Sequence, residues 1–190
     1  MALHRACRKV DQPKWIWTDT VQPDTVQPQA TTGGSHFFFT LATSKRQPVL
    51  CRTHEIQLLR SAFRFAMDRR PFNLSAICVL PDHLHCIWEL PAGDCDHATR
   101  WRLLHSWFAK YYRGGSVVWQ PDYCERPLQG TEELDWHLDY VHFDPVKHGL
   151  ASRAAQWPWS SFHAYVKRGL YPPHWGEHIE MNDASGERWL

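Results

Sequence analysis

Along the chain the hydrophobic period switches between that of a strand and that of a helix. "HFFFTLAT", residues 36–43, is an apolar run bounded by Gly33 and Gly34 before it and by the polar stretch from Lys45 to Pro48 after it, which predicts a strand. From Thr53 to Arg69 the apolar residues Ile56, Leu59, Phe63, Ala66 and Met67 recur at helical spacing until Pro71 stops them. "FNLSAICVL" and "HLHCIWEL" read as two strands joined by a turn at Pro81 and Asp82. A helix follows from about Ala98 to Tyr112, with Trp101, Leu104, Phe108 and Tyr111 as its stripe and Gly114 and Gly115 as its stop. "SVVWQ" predicts a short fourth strand. Thr131 then offers an N-cap for a long helix that has Glu132 and Glu133 in its first turn and Leu134, Leu138 and Val141 in its core stripe.

The order β-α-β-β-α-β followed by a helix predicts an α+β fold: a ferredoxin-like split βαβ antiparallel sheet with helices on one face, plus a C-terminal helix. "WPWSSFHAYVKRG" predicts a further short helix. Residues 18–35 hold an imperfect Val-Gln-Pro repeat and few core formers, so residues 1–35 read as a flexible leader, 36–170 as the folded domain and 171–190 as a C-terminal tail.

At 190 residues, 43% hydrophobic and 14% aromatic, the chain is long enough for one domain with a real core. Its six cysteines are scattered without a C-x-x-C pair, and no signal peptide or spanning apolar run precedes them, which predicts a soluble cytoplasmic protein with free thiols and no membrane partner. The net charge of +1 hides a segregation. Arg100, Arg102, Lys110 and Arg113 form one acid-free stretch, and Lys147, Arg153, Lys167 and Arg168 another, while acids gather in 120–144 and after Glu177. Such a distribution suits a phosphate-binding surface, although solvated helix faces produce it too.

The chemistry starts at His83 and His85. Side chains on a strand alternate, so both imidazoles point to one side and present two nitrogens to one ion. Half-buried histidines bonded to backbone would give the same pair, so a third ligand is needed. "HLDYVHFDPVKHGL" offers Asp144, four residues after Tyr140 and about 40° around the helix from it, with Glu133 and His137 on the same side. An ion held by His83, His85 and Asp144 would lie within reach of the Tyr140 phenol, a poor nucleophile until a cation or base favours its phenolate. No Cys/His set has structural-zinc spacing.

"LPDHLHCIWELP", "WQPDYCERPL", "HLDYVHFDPVKHGL" and "WPWSSFHAYVKRGLYP" together resemble the bacterial REP-associated tyrosine transposases, single-tyrosine members of the HUH nucleases. The resemblance runs from about Gly33 to Trp175. It implies that His83 and His85 hold a divalent ion and that Tyr140 is the catalytic nucleophile. Asp144 stands where the family usually has asparagine before proline, and an anionic ligand would bind the ion more tightly while softening its Lewis acidity.

The implied reaction is metal-dependent cleavage of single-stranded DNA at REP hairpins, through a 5′-phosphotyrosine that a second 3′-hydroxyl can reverse. Mg²⁺ or Mn²⁺ is the implied cofactor. Arg100, Arg102, Lys110, Arg113 and Lys147 are the candidate DNA-backbone contacts. The resemblance also implies a monomer, nucleoid-associated when bound to DNA. The alternative from another class is a hairpin-binding protein that has lost cleavage. Trp119 and Trp157 are candidate base-stacking residues, with core packing the competing role.

Overall fold

The computed structural model describes residues 17, 19–22, 35–115 and 118–176. Four antiparallel strands form one sheet in the order β2-β3-β1-β4: β1 (Ser35–Ala42), β2 (Asn73–Val79), β3 (His83–Leu90) and β4 (Cys124–Leu128). Helix α1 (Thr53–Arg69) links β1 to β2, and α2 (His97–Tyr111) links β3 to β4. This is the split βαβ arrangement expected from the sequence. Helix α3 (Gly130–Lys147) and the short α4 (Phe162–Lys167) follow.

Alternation along the strands builds two unlike faces. Phe39 and Trp88 point toward α1 and α2, where their rings lie 4.7 Å apart and Trp88 stacks on Trp101 at 4.4 Å and meets Phe72 at 4.3 Å. Helix α1 buries Ile56, Leu59, Phe63 and Ala66 there, as its spacing predicts, together with Ala62, while the predicted Met67 is only half-buried. Phe38, Thr40, His83 and His85 point the other way, toward α3.

Three local expectations need correction. The fourth strand is Cys124–Leu128, not "SVVWQ": Ser116 and Val117 lie outside the described residues, and Trp119 makes only an isolated bridge to Thr43. The strand was hidden by Pro127 and by its charged, exposed residues, both features of an edge. Helix α3 begins at Gly130, whose φ of +75° glycine tolerates, rather than behind a Thr131 cap. The Glu133 carboxylate accepts the Gln129 N–H at 2.7 Å and does the capping instead. Finally, Tyr171 and Trp175, placed in the tail by sequence, stack on each other at 4.6 Å, and the Tyr171 hydroxyl donates to Asp139 of α3 at 2.6 Å.

Part of the leader is also attached. Trp17 is buried edge-on against Phe63, and Asp19 pairs with Arg60 and Arg64 of α1. The Val-Gln-Pro repeat beyond Gln22 and the tail beyond Gly176 lie outside the described residues.

The free edge of β2 is covered by residues 157–161. Val79 donates to Trp159 O at 2.9 Å, Ser161 donates to Ile77 O at 2.8 Å, and the Trp157 indole donates to Val79 O at 2.9 Å. Ser161 Oγ also meets His142 Nε2 at 2.8 Å, which ties α3 to the same edge. That attachment fixes the face of α3 turned to the sheet.

Candidate active site

His83 and His85 stand on β3 opposite Ala42 and Thr40 of β1. Alanine across from His83 leaves space above the strand pair, and α3 fills it with Asp144. His83 Nε2 and His85 Nε2 lie 3.7 and 3.6 Å from Asp144 Oδ2. One ligand atom from each residue falls within 4.8 Å of the other two. All three side chains are buried, at 1%, 0% and 0% exposure. The two Nε2 atoms and both carboxylate oxygens make no hydrogen bond among the described residues, a costly arrangement for polar groups at this depth. A donor set of two imidazoles and a carboxylate, converging and otherwise unsatisfied, fits a divalent cation.

The shifts of His85 and Asp144 agree with that role, and that of His83 reflects the two carboxylates beside it. Burial pushes His85 down to about 3, so its imidazole is neutral. Burial acts against the Asp144 carboxylate, but the surrounding His85, His148 and His83 outweigh it and hold the group well below the usual carboxylate range. His83 is also opposed by burial, yet the Asp144 and Asp82 carboxylates raise it above the ordinary imidazole value. The far nitrogen of each histidine has a partner. His85 Nδ1 meets Thr40 Oγ1 at 2.8 Å, and His83 Nδ1 meets Asp82 Oδ1 at 2.7 Å.

Tyr140 sits one turn before Asp144 on the same face of α3 and is 4% exposed. Its ring meets His85 edge-on at 5.4 Å and Phe38 at 6.0 Å, and Trp136 stacks on it at 5.4 Å. Lys147, two turns on, donates to the Tyr140 hydroxyl at 3.4 Å, with its ammonium 5.0 Å from the ring centroid. An ammonium there stabilises negative charge on the phenol oxygen. His148 Nε2 lies 3.4 Å from Asp144 Oδ1, beside the ligand set. An open cleft of about 410 Å³ is lined by Arg126, Gln129, Glu132, Glu133, Trp136 and His137, and the Trp136 ring in its wall stacks on Tyr140.

Sequence-based candidates therefore separate. His83, His85, Asp144, Tyr140 and Lys147 come together. Arg100 does not: it is 1% exposed, pairs with Asp94 at 2.7 Å and donates to the carbonyls of Arg70, Pro71 and Asp96. Its guanidinium is consumed in holding the start of α2 to the end of α1, so it has no reach to a phosphate. Arg102 and Lys110 are exposed on α2, in the layer opposite α3, and the exposed Arg113 follows them. Trp119 and Trp157 are core residues, the first stacked on His105 and the second bonded to Val79.

Periodicity missed Asp82, Arg46 and Thr40, the residues behind the histidines. Thr40 alone left a signal, as a hydroxyl on the Phe38 side of an apolar strand. Among the described residues all five cysteines are free, and no helix is long and apolar enough to cross a membrane.

No protein-family model matches the chain. A REP-associated tyrosine transposase of Escherichia coli (strain K12) is 39% identical over 156 residues, which cover 82% of this chain and 92% of that protein. A relative from Haemophilus influenzae (strain ATCC 51907 / DSM 11121 / KW20 / Rd) that shares the family name is 35% identical over 166 residues, 80% of this chain and 92% of its own length. A solved structure of a REP-associated tyrosine transposase bound to a REP hairpin superimposes with a TM-score of 0.74 at 39% identity, covering 84% of this chain and 94% of that one. With most of its length matched by these relatives in sequence and in fold, the chain belongs to the REP-associated tyrosine transposases.

Proposed function

We propose that the protein is a metal-dependent strand transferase acting on single-stranded DNA at REP hairpins, with Tyr140 as the nucleophile. The observation that carries this reading is the meeting of Tyr140 with His83, His85 and Asp144 on one buried face. His83 and His85 through Nε2 and Asp144 through its carboxylate would hold Mg²⁺ or Mn²⁺. When bound, the ion supplies positive charge to the oxygens of the scissile phosphate.

The chain's own residues do the remainder. Tyr140 Oη attacks phosphorus, a phenol O–P bond forms, and the bond to the 3′-oxygen breaks. The phenol proton leaves and the 3′-oxygen departs as a hydroxyl, so the DNA stays attached through a 5′-phosphotyrosine. Lys147 holds the phenol oxygen and stabilises the negative charge that develops as it loses its proton. Phe38, His85 and Trp136 wall the phenol ring, which limits the directions from which water reaches the ester. A second 3′-hydroxyl entering the same position reverses the step and joins strands without ATP.

Exposed Arg102, Lys110 and Arg113 add sequence-independent contacts to the DNA backbone. One chain carries the ligands and the nucleophile together, so the protein acts as a monomer, in the cytoplasm and on the nucleoid when DNA is bound. Incubation with single-stranded REP-hairpin DNA tests the reading. The expected result is a covalent adduct on a denaturing gel that needs Mn²⁺ or Mg²⁺ and disappears with chelator or with Tyr140→Phe. Hairpin binding without any adduct under either metal would make the protein a cleavage-deficient hairpin binder.

A further inference from the structure

The two ligand histidines are supported differently. Thr40, a neutral hydroxyl from the neighbouring strand, backs His85, whereas the Asp82 carboxylate backs His83 from the adjacent position of its own chain. Asp82 is itself held: Oδ2 lies 3.1 Å from Arg46 Nε. Its backbone carbonyl accepts from both the Thr43 N–H, at 2.8 Å, and the Thr43 hydroxyl, at 2.9 Å.

The route by which Arg46 reaches Asp82 is unusual. Lys45 and Arg46 both have φ of +54°, and they are the only non-glycine residues in that region among those described. Side chains with a Cβ seldom adopt it, and such conformations persist where the surroundings over-determine them. Here the surroundings do so through Thr43 Oγ1 to Gln47 O, Ser44 N to Val118 O and Arg46 N to Thr43 O. The consequence of this turn is a guanidinium on the carboxylate that backs a ligand histidine.

We infer that Arg46 and Asp82 are a positioning pair for the metal centre, acting through His83; this rests on the metal-dependent reading above. By accepting the Nδ1–H, Asp82 fixes the tautomer that leaves the Nε2 lone pair facing Asp144, orients the ring, and strengthens the nitrogen as a donor. Arg46 fixes the carboxylate in turn and offsets its charge, so that Asp82 serves the histidine rather than competing with Asp144 for the ion.

The test is Mn²⁺ binding to the metal-stripped full chain without DNA, followed by electron paramagnetic resonance. Free Mn²⁺ gives the affinity, and nitrogen couplings report the bound imidazoles. Loss of outer partners of this kind weakens metal binding about 10–100-fold. Asp82→Ala is expected to fall in that range with a weakened coupling from one imidazole, Asp82→Glu to recover part of the loss, and Arg46→Met to lie between. Arg46 is partly exposed, so its variant reports even where Asp82→Ala does not fold. Wild-type affinity and unchanged couplings in both Asp82→Ala and Arg46→Met would overturn the inference. A wild-type protein that binds no Mn²⁺ through two imidazoles would instead overturn the metal reading itself, and this inference with it.

Discussion

Alternate residues of the same strands build the two faces of the sheet, and the faces obey opposite rules. Toward α1 and α2, Phe39, Trp88, Phe72, Phe63 and Trp101 pack ring against ring, and the buried charge there, Arg100, is fully engaged. Toward α3, the buried positions include two histidines and an aspartate whose inward atoms hydrogen-bond to nothing among the described residues. Burying polar atoms without partners opposes folding. The indole nitrogens of Trp88 and Trp101 are also unpaired among the described residues on the aromatic face, but only the α3 face brings two imidazoles and a carboxylate together, so packing dominates one side and ion-binding chemistry the other.

The largest effects expected from this division come from one substitution on each face. Trp88→Ala should cost about 4 kcal/mol of stability, in the range of large aromatic truncations in a core. Tyr140→Phe should change stability by less than about 1 kcal/mol, since it keeps the ring packing and removes only the hydroxyl, while abolishing adduct formation. Chemical denaturation and the gel assay on both variants check the pair; a strongly destabilised Tyr140→Phe protein would break the comparison.

Arg100 gives a smaller effect of the same kind. Arg100→Met should lose about 2 kcal/mol, the scale of lost charge-assisted hydrogen bonds to a part-exposed carboxylate and to backbone carbonyls, with hairpin affinity of the folded protein unchanged. The loss should depend on pH with a definite sign. The hydrogen bond from Arg100 holds the Asp94 carboxyl down at about 2, against an ordinary 3.8. A depressed carboxyl contributes stability above its unfolded value and loses it as pH falls through the folded one. The gap between Arg100→Met and wild type should therefore narrow from about pH 4 to pH 2, as read by denaturation midpoints. A gap that stays constant over that window would assign the Arg100 effect to packing and carbonyl bonds alone.

Smallest is the contribution of single exposed cations. Lys110→Ala should lower the salt slope of hairpin binding by about 1 and leave cleavage of bound DNA unchanged. An unchanged slope would make the outer side of α2 a solvated face.

Much of this is legible in the sequence because it depends on short-range geometry. Period two alone puts His83 and His85 on one side of a strand, and helical spacing alone puts Tyr140 and Asp144 on one side of a helix. What period cannot give is the partner supplied from elsewhere. Arg100 resembles its neighbours in a basic run because the carbonyls that engage it belong to residues 70 and 71. The edge strand β4 carries charge and proline in place of β-branched residues, so "SVVWQ" looks the better strand. Asp82 resembles an ordinary turn residue until its bond to His83 and its ion pair with Arg46 give it a second role.

On the proposed reading, the polar face makes Tyr140 a nucleophile toward a DNA phosphate. The most direct test of that reading is mass spectrometry of the proteolysed adduct formed with REP-hairpin DNA and Mn²⁺. The expected product is a single modified peptide from α3 carrying a 5′-phosphonucleotide on Tyr140. A nucleotide on any other residue, or cut DNA with a free 5′-phosphate and no protein attached, would contradict the reading.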